Sequence, residues 1–222
     1  MTKLRAGVIG VGAFGEIHVA AYRSLLDVDV VAISDSRRSR LREVSAKYGI
    51  RHCYTSFKEL CARKDIDVVS IATPEELHLA PVIAAASRGK HILLEKPIAS
   101  SLEDAERIVA TAHNGQVALM VGHILRFENT YGTVKRELEE GKLGRMVSLH
   151  ARRNRPKRAL SRMLNRSHPI ISNGIHDIDL CLWYARDRVV QVRATTRKVW
   201  QEKYPRVNWC LLEFRGGAVA CL

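Results

Sequence analysis

Three stretches of this sequence carry residues whose type and spacing suit chemistry. The first is Gly10-Val11-Gly12-Ala13-Phe14-Gly15, a Gly-x-Gly-x-x-Gly triplet. A strand-to-helix turn that tight needs Gly10, a bare Gly12 lets a pyrophosphate reach the backbone, and Gly15 lets the helix pack close to the strand. The helix then offers the free N–H groups around Ala13 and Phe14, and its positive dipole end, to phosphates. The second is Asp35, about 20 residues beyond Gly15, where a carboxylate accepts bonds from adenosine ribose hydroxyls and repels a 2′-phosphate. That predicts NAD, with Ser36 and Arg37 beside it; Arg37 and Arg38 would receive the extra phosphate in the NADP alternative. The third comprises Thr73-Pro74 and Glu95-Lys96-Pro97, each just after an apolar run. In a doubly wound sheet, ligands sit outside the carboxyl ends of the strands. Lys96 therefore falls where a nicotinamide ring can lie; a surface lysine in a polar loop is the plain alternative.

These residues need a scaffold. Leu4 to Ile9 is a short apolar run that suits a strand buried on both faces. The following helix repeats apolar residues at Ile17, Ala20, Ala21 and Leu25, which predicts its packing stripe. Strand and helix patterns then alternate to about residue 121: strands near 28–33, 51–54, 67–72, 91–94 and 117–121, and helices near 36–48, 56–63, 75–88 and 102–113. Gly49 and Gly89 stand at two of the helix stops. Alternation with short connections predicts a parallel sheet with helices on both faces, a Rossmann-type α/β domain over residues 1–122. The pattern then changes. Helices are expected at 130–140 and 175–184, and strands at 146–152, 189–200, 207–214 and 218–222, with Gly216-Gly217 as a turn. Residues 123–222 thus predict an α+β domain with a mostly antiparallel sheet. The sequence stops at Leu222 inside an apolar strand, which predicts a shortened form of a longer protein or a partner subunit over the sheet.

Composition narrows the classes. The 222 residues are enough for one large domain or two small ones, and 46% are hydrophobic, enough for a packed core. No apolar run reaches membrane-spanning length, and Met1 to Arg5 leads straight into the first strand without room for a signal peptide. Cys53, Cys61, Cys181, Cys210 and Cys221 are odd in number, scattered and without metal spacing, which predicts reduced thiols in the cytoplasm and no metal. The net charge of +13 admits a nucleic-acid partner, but no recognition motif or interleaved aromatic residues accompany it. Much of the charge lies in one polar loop, with Arg152, Arg153, Arg155, Lys157, Arg158, Arg162 and Arg166. Arg153 and Arg155 are candidates for an anionic group of a small substrate.

Taken together the motifs resemble the glucose–fructose oxidoreductase and inositol dehydrogenase family, Gfo/Idh/MocA. The resemblance covers the whole sequence. It rests on the glycine triplet, on Ala72-Thr73-Pro74 with His78, and on Glu95-Lys96-Pro97. It continues through Gly122-His123 with Arg126-Phe127 and Tyr131, and through Gly174-Ile175-His176-Asp177-Ile178-Asp179. It implies a nicotinamide-dependent oxidoreductase of sugars, cyclitols or related polyols, with Thr73, Pro74, His78 and Glu95 near the cofactor. Lys96 matches the lysine that hydrogen-bonds the reacting hydroxyl, and His176 the general acid/base. Arg126, Ser172 and Asn173 join the substrate candidates. Asp177 and Asp179 are expected to support rather than react. Two positions depart from the pattern: Ser172 stands where an acid commonly completes the set, and Glu75 where many relatives have asparagine. Ser172, with the early end of the sequence, keeps open a non-catalytic nucleotide-binding relative, and the resemblance also admits an NAD-dependent glycosidase of the same family. A homo-oligomer through the second sheet is expected.

Overall fold

The computed structural model describes residues 3–156, 168–199 and 203–222. It divides into two compact units, Met1–Gly122 and His123–Leu222.

The first unit is a six-stranded parallel sheet. Its strands are β1 (Leu4–Ile9), β2 (Val28–Ser34), β3 (His52–Tyr54), β4 (Val68–Ile71), β5 (His91–Leu94) and β6 (Leu119–Val121), in the order β3-β2-β1-β4-β5-β6. Helices α1 (Ala13–Ser24) and α2 (Arg38–Tyr48) cover one face; α3 (Phe57–Cys61), α4 (Leu79–Ala86) and α5 (Leu102–Asn114) cover the other. Strand residues alternate between the two layers, as period-2 side chains must. Val8 and Ile33 pack with Val19, Leu41 and Val44, whereas Ile9, Val69, Ile71, Ile92 and Leu94 pack with Val82 and Ile108. Each such aliphatic side chain contributes about 1.5–3 kcal/mol on full burial, which explains why these runs are almost wholly apolar. Gly49 caps α2 at φ 66°, and Gly89, in the turn that follows α4, has the same φ, a left-handed conformation that costs glycine nothing. Ser101 caps α5, its hydroxyl accepting from the Asp104 N–H.

The packing stripe of α1 differs from the periodic reading. Gly15 and Val19 are buried and Tyr22 is half-buried, its hydroxyl 2.6 Å from Ser70 Oγ, while Ile17, Ala20, Ala21 and Leu25 are exposed. The helix approaches the sheet on its glycine side, where there is least bulk.

The second unit is a four-stranded sheet with helices. Its strands are β7 (Ser148–His150), β8 (Val189–Arg197), β9 (Val207–Phe214) and β10 (Val219–Cys221), in the order β7-β10-β9-β8. β8 and β10 pair antiparallel with β9, and β10 pairs parallel with β7, so the sheet is mixed and mostly antiparallel. The helices are α6 (Asn129–Glu139) and α7 (Ile175–Ala185); a π-helical turn, Ile170–Gly174, leads into α7. Cys181 of α7 packs on Cys210, Leu212, Phe214 and Ala220. β8 is an edge strand with Val190 and Val192 exposed, and Val207 and Trp209 of β9 are exposed as well. Among the described residues no helix is long and apolar enough to cross a membrane.

Candidate functional site: a dinucleotide cradle and an arginine–aspartate frame

In a parallel sheet all carboxyl ends share one edge, and here β1 and β4 lie side by side with chain connections leaving in opposite directions. This is the switch point of an open α/β sheet. The three glycines stand at it with distinct geometry. Gly10 has φ +81°, and a Cβ there would lie 2.9 Å from the Thr73 nitrogen after β4. At Gly15 a Cβ would lie 1.8 Å from the Gly10 carbonyl oxygen, so α1 can touch the turn only without a side chain. At Gly12 a Cβ would meet a single atom, Arg37 Nη2 at 3.9 Å, so this backbone faces open space. Ala13 and Phe14 are exposed at the start of α1, where the first N–H groups lack partners within the helix.

Asp35 follows β2 with its side chain 7% exposed. Its carboxylate accepts from the Val11 N–H at 3.1 Å and from the Arg37 N–H at 2.9 Å. The Arg37 guanidinium also donates to it, through Nε at 3.1 Å. Arg37 is thus committed to the acid rather than standing apart as a phosphate receptor; Ser36 and Arg38 are exposed. Thr73 Oγ1 is buried with no partner among the described residues. An open glycine backbone, a helix N-terminus, a carboxylate at the second strand and an unsatisfied hydroxyl at the switch point fit a nicotinamide dinucleotide.

Lys96 follows β5 on this same edge, half-buried, and the Lys96–Pro97 peptide bond is cis. Its backbone is held by its neighbour: the Lys96 N–H donates to Glu95 Oε2 at 3.1 Å, and Glu95 Oε1 lies 3.0 Å from His18 Nε2 of α1. Burial pushes the Glu95 carboxyl up, but the His18 hydrogen bond and charge, with the Lys96 N–H, outweigh it and leave it below the usual range. Glu95 therefore supports the loop from beneath. His78, expected beside the cofactor, stands behind the Thr73 loop. It is fully enclosed, with Nδ1 3.1 Å from the Ile98 carbonyl and Nε2 2.9 Å from the Thr73 carbonyl. Its ring ties the loop after β4 to the loop after β5. Pro74 and Glu75 begin the short 3-10 turn beside it.

The sequence reading missed one network. Arg40 of α2 donates Nε to the Val11 carbonyl at 2.6 Å and pairs with Glu16, which also takes Lys47 Nζ at 2.7 Å and the Tyr48 hydroxyl at 3.2 Å. The glycine turn is thereby pinned from α2. Lys47 first, then Arg40, lower the Glu16 carboxyl from 4.5 to about 2. A lowered folded-state pKa means stability present above about 4.5 and lost as pH falls toward 2. The thermal midpoint of Glu16→Gln should accordingly lie below wild type at pH 7, and the gap should close on acidification. A gap that is constant with pH would remove Glu16 from this role.

In the second unit the arginines and the His-Asp-x-Asp segment form a frame. Arg126 donates to Asp179 through Nε at 2.8 Å and Nη2 at 2.6 Å, and Arg153 to Asp177 at 2.8 and 2.7 Å. Both acids are buried, which matches their expected supporting role. Arg126 and Arg153, the substrate candidates of the sequence, each hold one of these carboxylates through two donors. Stranding a buried carboxylate costs about 3–5 kcal/mol. Partial exposure of both guanidiniums lowers that figure, but the sign disfavours either arginine turning to a ligand. Arg155 differs: its Nη2 and Nε donate to the neutral Asn173 oxygen at 2.8 and 3.2 Å. Ser172 Oγ donates to the His168 carbonyl at 3.2 Å, so its proton is used locally. His176, in the first turn of α7, is half-buried with Nδ1 enclosed. Lys157, Arg158, Arg162 and Arg166 of the basic loop lie outside the described residues. Among the described residues all five cysteines are free, and no group of three metal-ligating side chains occurs.

The strand order and glycine geometry define a dinucleotide-binding Rossmann unit. Comparison with known families makes this specific. Residues 4–123 match the oxidoreductase family with an NAD-binding Rossmann fold, and residues 131–222 match the GFO/IDH/MocA C-terminal domain. The chain belongs to the GFO/IDH/MocA oxidoreductase family. It is 31% identical, over 86% of its length, to the 4-carboxy-2-hydroxymuconate-6-semialdehyde dehydrogenase of a Sphingobium species, and covers 62% of that protein. It is 28% identical over 99% of its length to the myo-inositol 2-dehydrogenase of Thermotoga maritima, of which it covers 67%. Among solved structures, apo scyllo-inositol dehydrogenase from Lactobacillus casei shares the fold at TM-score 0.93 and 21% identity, over 100% of this chain and 68% of that one. An Agrobacterium radiobacter oxidoreductase in complex with NAD+, L-tartaric acid and magnesium matches at TM-score 0.89 and 29% identity, over 99% of this chain and 66% of that one. The chain spans between about half and two thirds of the length of the first curated relatives it matches.

Proposed function

We propose that this protein is an NAD(P)-dependent oxidoreductase acting on a hydroxyl-bearing carbon of a sugar, cyclitol or related polyol. The observation that carries the reading is the shared edge: the glycine turn after β1, Asp35 after β2 and Lys96 after β5 all stand at carboxyl ends of one parallel sheet. Gly12 and the first turn of α1 would hold the pyrophosphate, Asp35 the adenosine ribose, and Thr73 a polar group along the dinucleotide. The bound nicotinamide supplies hydride acceptance and donation. The remaining work falls to side chains. The Lys96 ammonium hydrogen-bonds the reacting hydroxyl and stabilises the oxygen as it becomes an alkoxide. His176 takes the hydroxyl proton at Nε2, since Nδ1 is enclosed. A screen of polyols, sugars and uronates, following reduced nicotinamide by absorbance, tests the reading. Absence of turnover across the panel with intact NAD binding would favour the second reading, a non-catalytic nucleotide-binding relative. The specific observation behind that alternative is Ser172, a neutral residue whose proton is spent on His168.

NAD is the proposed coenzyme. Asp35 meets the ribose position with a carboxylate, and the nearest cation, Arg37, is already paired to it. The dissociation constant for NAD should be lower than that for NADP, and Asp35→Ala should narrow the difference by removing the repulsion and releasing Arg37. Tighter NADP binding by the wild type would reverse the assignment. The uncovered apolar residues of the second sheet, Val190, Val192, Val207 and Trp209, support self-association through that sheet, and the free thiols suit a cytoplasmic setting.

A further inference from the structure

Lys96 stands where the parallel ladder runs out. The Glu95 N–H still donates to the Ile71 carbonyl of β4 at 2.9 Å, but the Lys96 N–H turns away and donates to the Glu95 carboxylate at 3.1 Å. Residues 95–101 are neither strand nor helix. The position of this segment therefore depends on its anchors. One is the Ile98 carbonyl, 3.1 Å from His78 Nδ1. Another is the Glu95 carboxylate, whose Oε1 lies 3.0 Å from Nε2 of His18. Lys96 falls between the two in sequence.

His18 belongs to α1, one turn beyond Phe14. Its side chain and that of Glu95 are each 13% exposed, so water competes little for their hydrogen bond. Burial by itself raises the Glu95 carboxyl; the His18 bond and charge, then the Lys96 N–H and charge, hold it below the usual range. An ionised carboxylate only accepts, so His18 donates from Nε2. The helix side of this contact is fixed without it. Gly15 touches the Gly10 turn, Val19 packs with Val8 and Ile33 of the sheet, and the Tyr22 hydroxyl lies 2.6 Å from Ser70 Oγ. The bond thus acts on the loop: α1 is the anchor, and the segment after β5 is what it holds.

We propose that His18 is a positioning residue that sets where Lys96 stands relative to the bound dinucleotide. The first turn of α1 would receive the pyrophosphate, and the second turn, through His18 and Glu95, holds the Lys96 backbone. One helix therefore governs both the cofactor and the amine. Reacting atoms must meet at about 3–3.5 Å, and a displacement of about 1 Å can cost about 10²-fold in rate. Without His18 the Glu95 carboxylate loses its donor from the helix, turns toward water and gives up the Lys96 N–H. The consequence for catalysis rests on the dehydrogenase reading; the hold on the Lys96 backbone does not.

Two variants of the whole chain test the assignment. His18→Leu keeps bulk and removes the donor, whereas His18→Gln keeps an N–H near the place of Nε2. Amide hydrogen exchange is read by NMR. The Lys96 N–H should exchange at least about tenfold faster in His18→Leu than in wild type, and His18→Gln should restore most of the protection. The Glu95 N–H, bonded to the Ile71 carbonyl, should stay within about threefold of wild type in both. NAD dissociation constants should also stay within about threefold, because the phosphates meet the backbone of the first turn. On the substrate found in the polyol screen, kcat should fall by about 10²-fold in His18→Leu and recover at least about tenfold in His18→Gln. Unchanged Lys96 exchange in His18→Leu, equal loss of protection at Glu95 and Lys96, no rescue by glutamine, or normal kcat beside fast Lys96 exchange would each overturn the assignment. A wild type that turns over nothing defeats the dehydrogenase reading alone, and the exchange rates then decide the role of His18.

Discussion

Replacing Lys96 with alanine should lower kcat on the best substrate by about 10²–10³-fold, the usual cost of removing one donor aimed at a developing oxyanion. The expectation is large because the group acts as the oxygen becomes negative, not before. kcat and kcat/KM should therefore fall together, which is the signature of an interaction made only in the transition state. The variant should keep its fold. Glu95 accepts from the Lys96 backbone N–H, which alanine keeps, and the His18–Glu95 contact beneath the loop is untouched. The NAD dissociation constant should change far less than kcat, since the phosphates and adenosine meet the glycine turn and Asp35. Lys96→Arg should recover only part of the rate, because a guanidinium presents its charge in a different geometry. His176→Ala gives an independent signature: the rise of oxidation rate with pH that a proton-accepting imidazole confers should disappear. Normal turnover by Lys96→Ala would end the proposed chemistry even with NAD bound.

Much of this arrangement is legible in the sequence, and the exceptions share a cause. The alternation of apolar runs and helical repeats gives the parallel sheet because each strand is buried on both faces and each connection is short. The glycine triplet reads correctly because its requirements are local: a positive φ at Gly10 and a contact between Gly15 and Gly10, five residues apart. What the sequence leaves unread depends on distant partners. The pairing of Arg126 and Arg153 with Asp179 and Asp177 appears only in the fold. So does the enclosure of His78 between two carbonyls. The packing stripe of α1 is mistaken for another reason: a hydrophobic repeat counts apolar side chains, whereas this helix docks through a residue that has none. Glu16 and Arg40 lie 24 residues apart, and neither carries a signal that it serves the glycine turn.

The two glycines of the cradle should fail in opposite ways. Gly12 has φ −63°, which alanine adopts freely, and its new methyl group would meet only the end of the flexible Arg37 side chain at 3.9 Å. Gly12→Ala should thus unfold at close to the wild-type temperature. Its methyl group, however, occupies the space through which a pyrophosphate reaches the backbone, so NAD binding should weaken by about 10²-fold or more, roughly 2.7 kcal/mol. Gly15→Ala puts a carbon 1.8 Å from the Gly10 carbonyl oxygen. That neighbour is backbone, so the clash can be relieved only by lifting α1 from β1 or by moving the turn. Overpacking of this kind costs about 1–3 kcal/mol, occasionally more, and backbone against backbone belongs at the upper end. Near 3 kcal/mol, the unfolding temperature should drop by roughly 6–12 °C, and NAD affinity should fall with it because the turn itself has moved. Calorimetry and nicotinamide titration on the same two proteins separate the effects. A destabilised Gly12→Ala that still binds NAD, beside a stable Gly15→Ala, would mean that phosphate does not approach at Gly12 and that the cradle has another purpose.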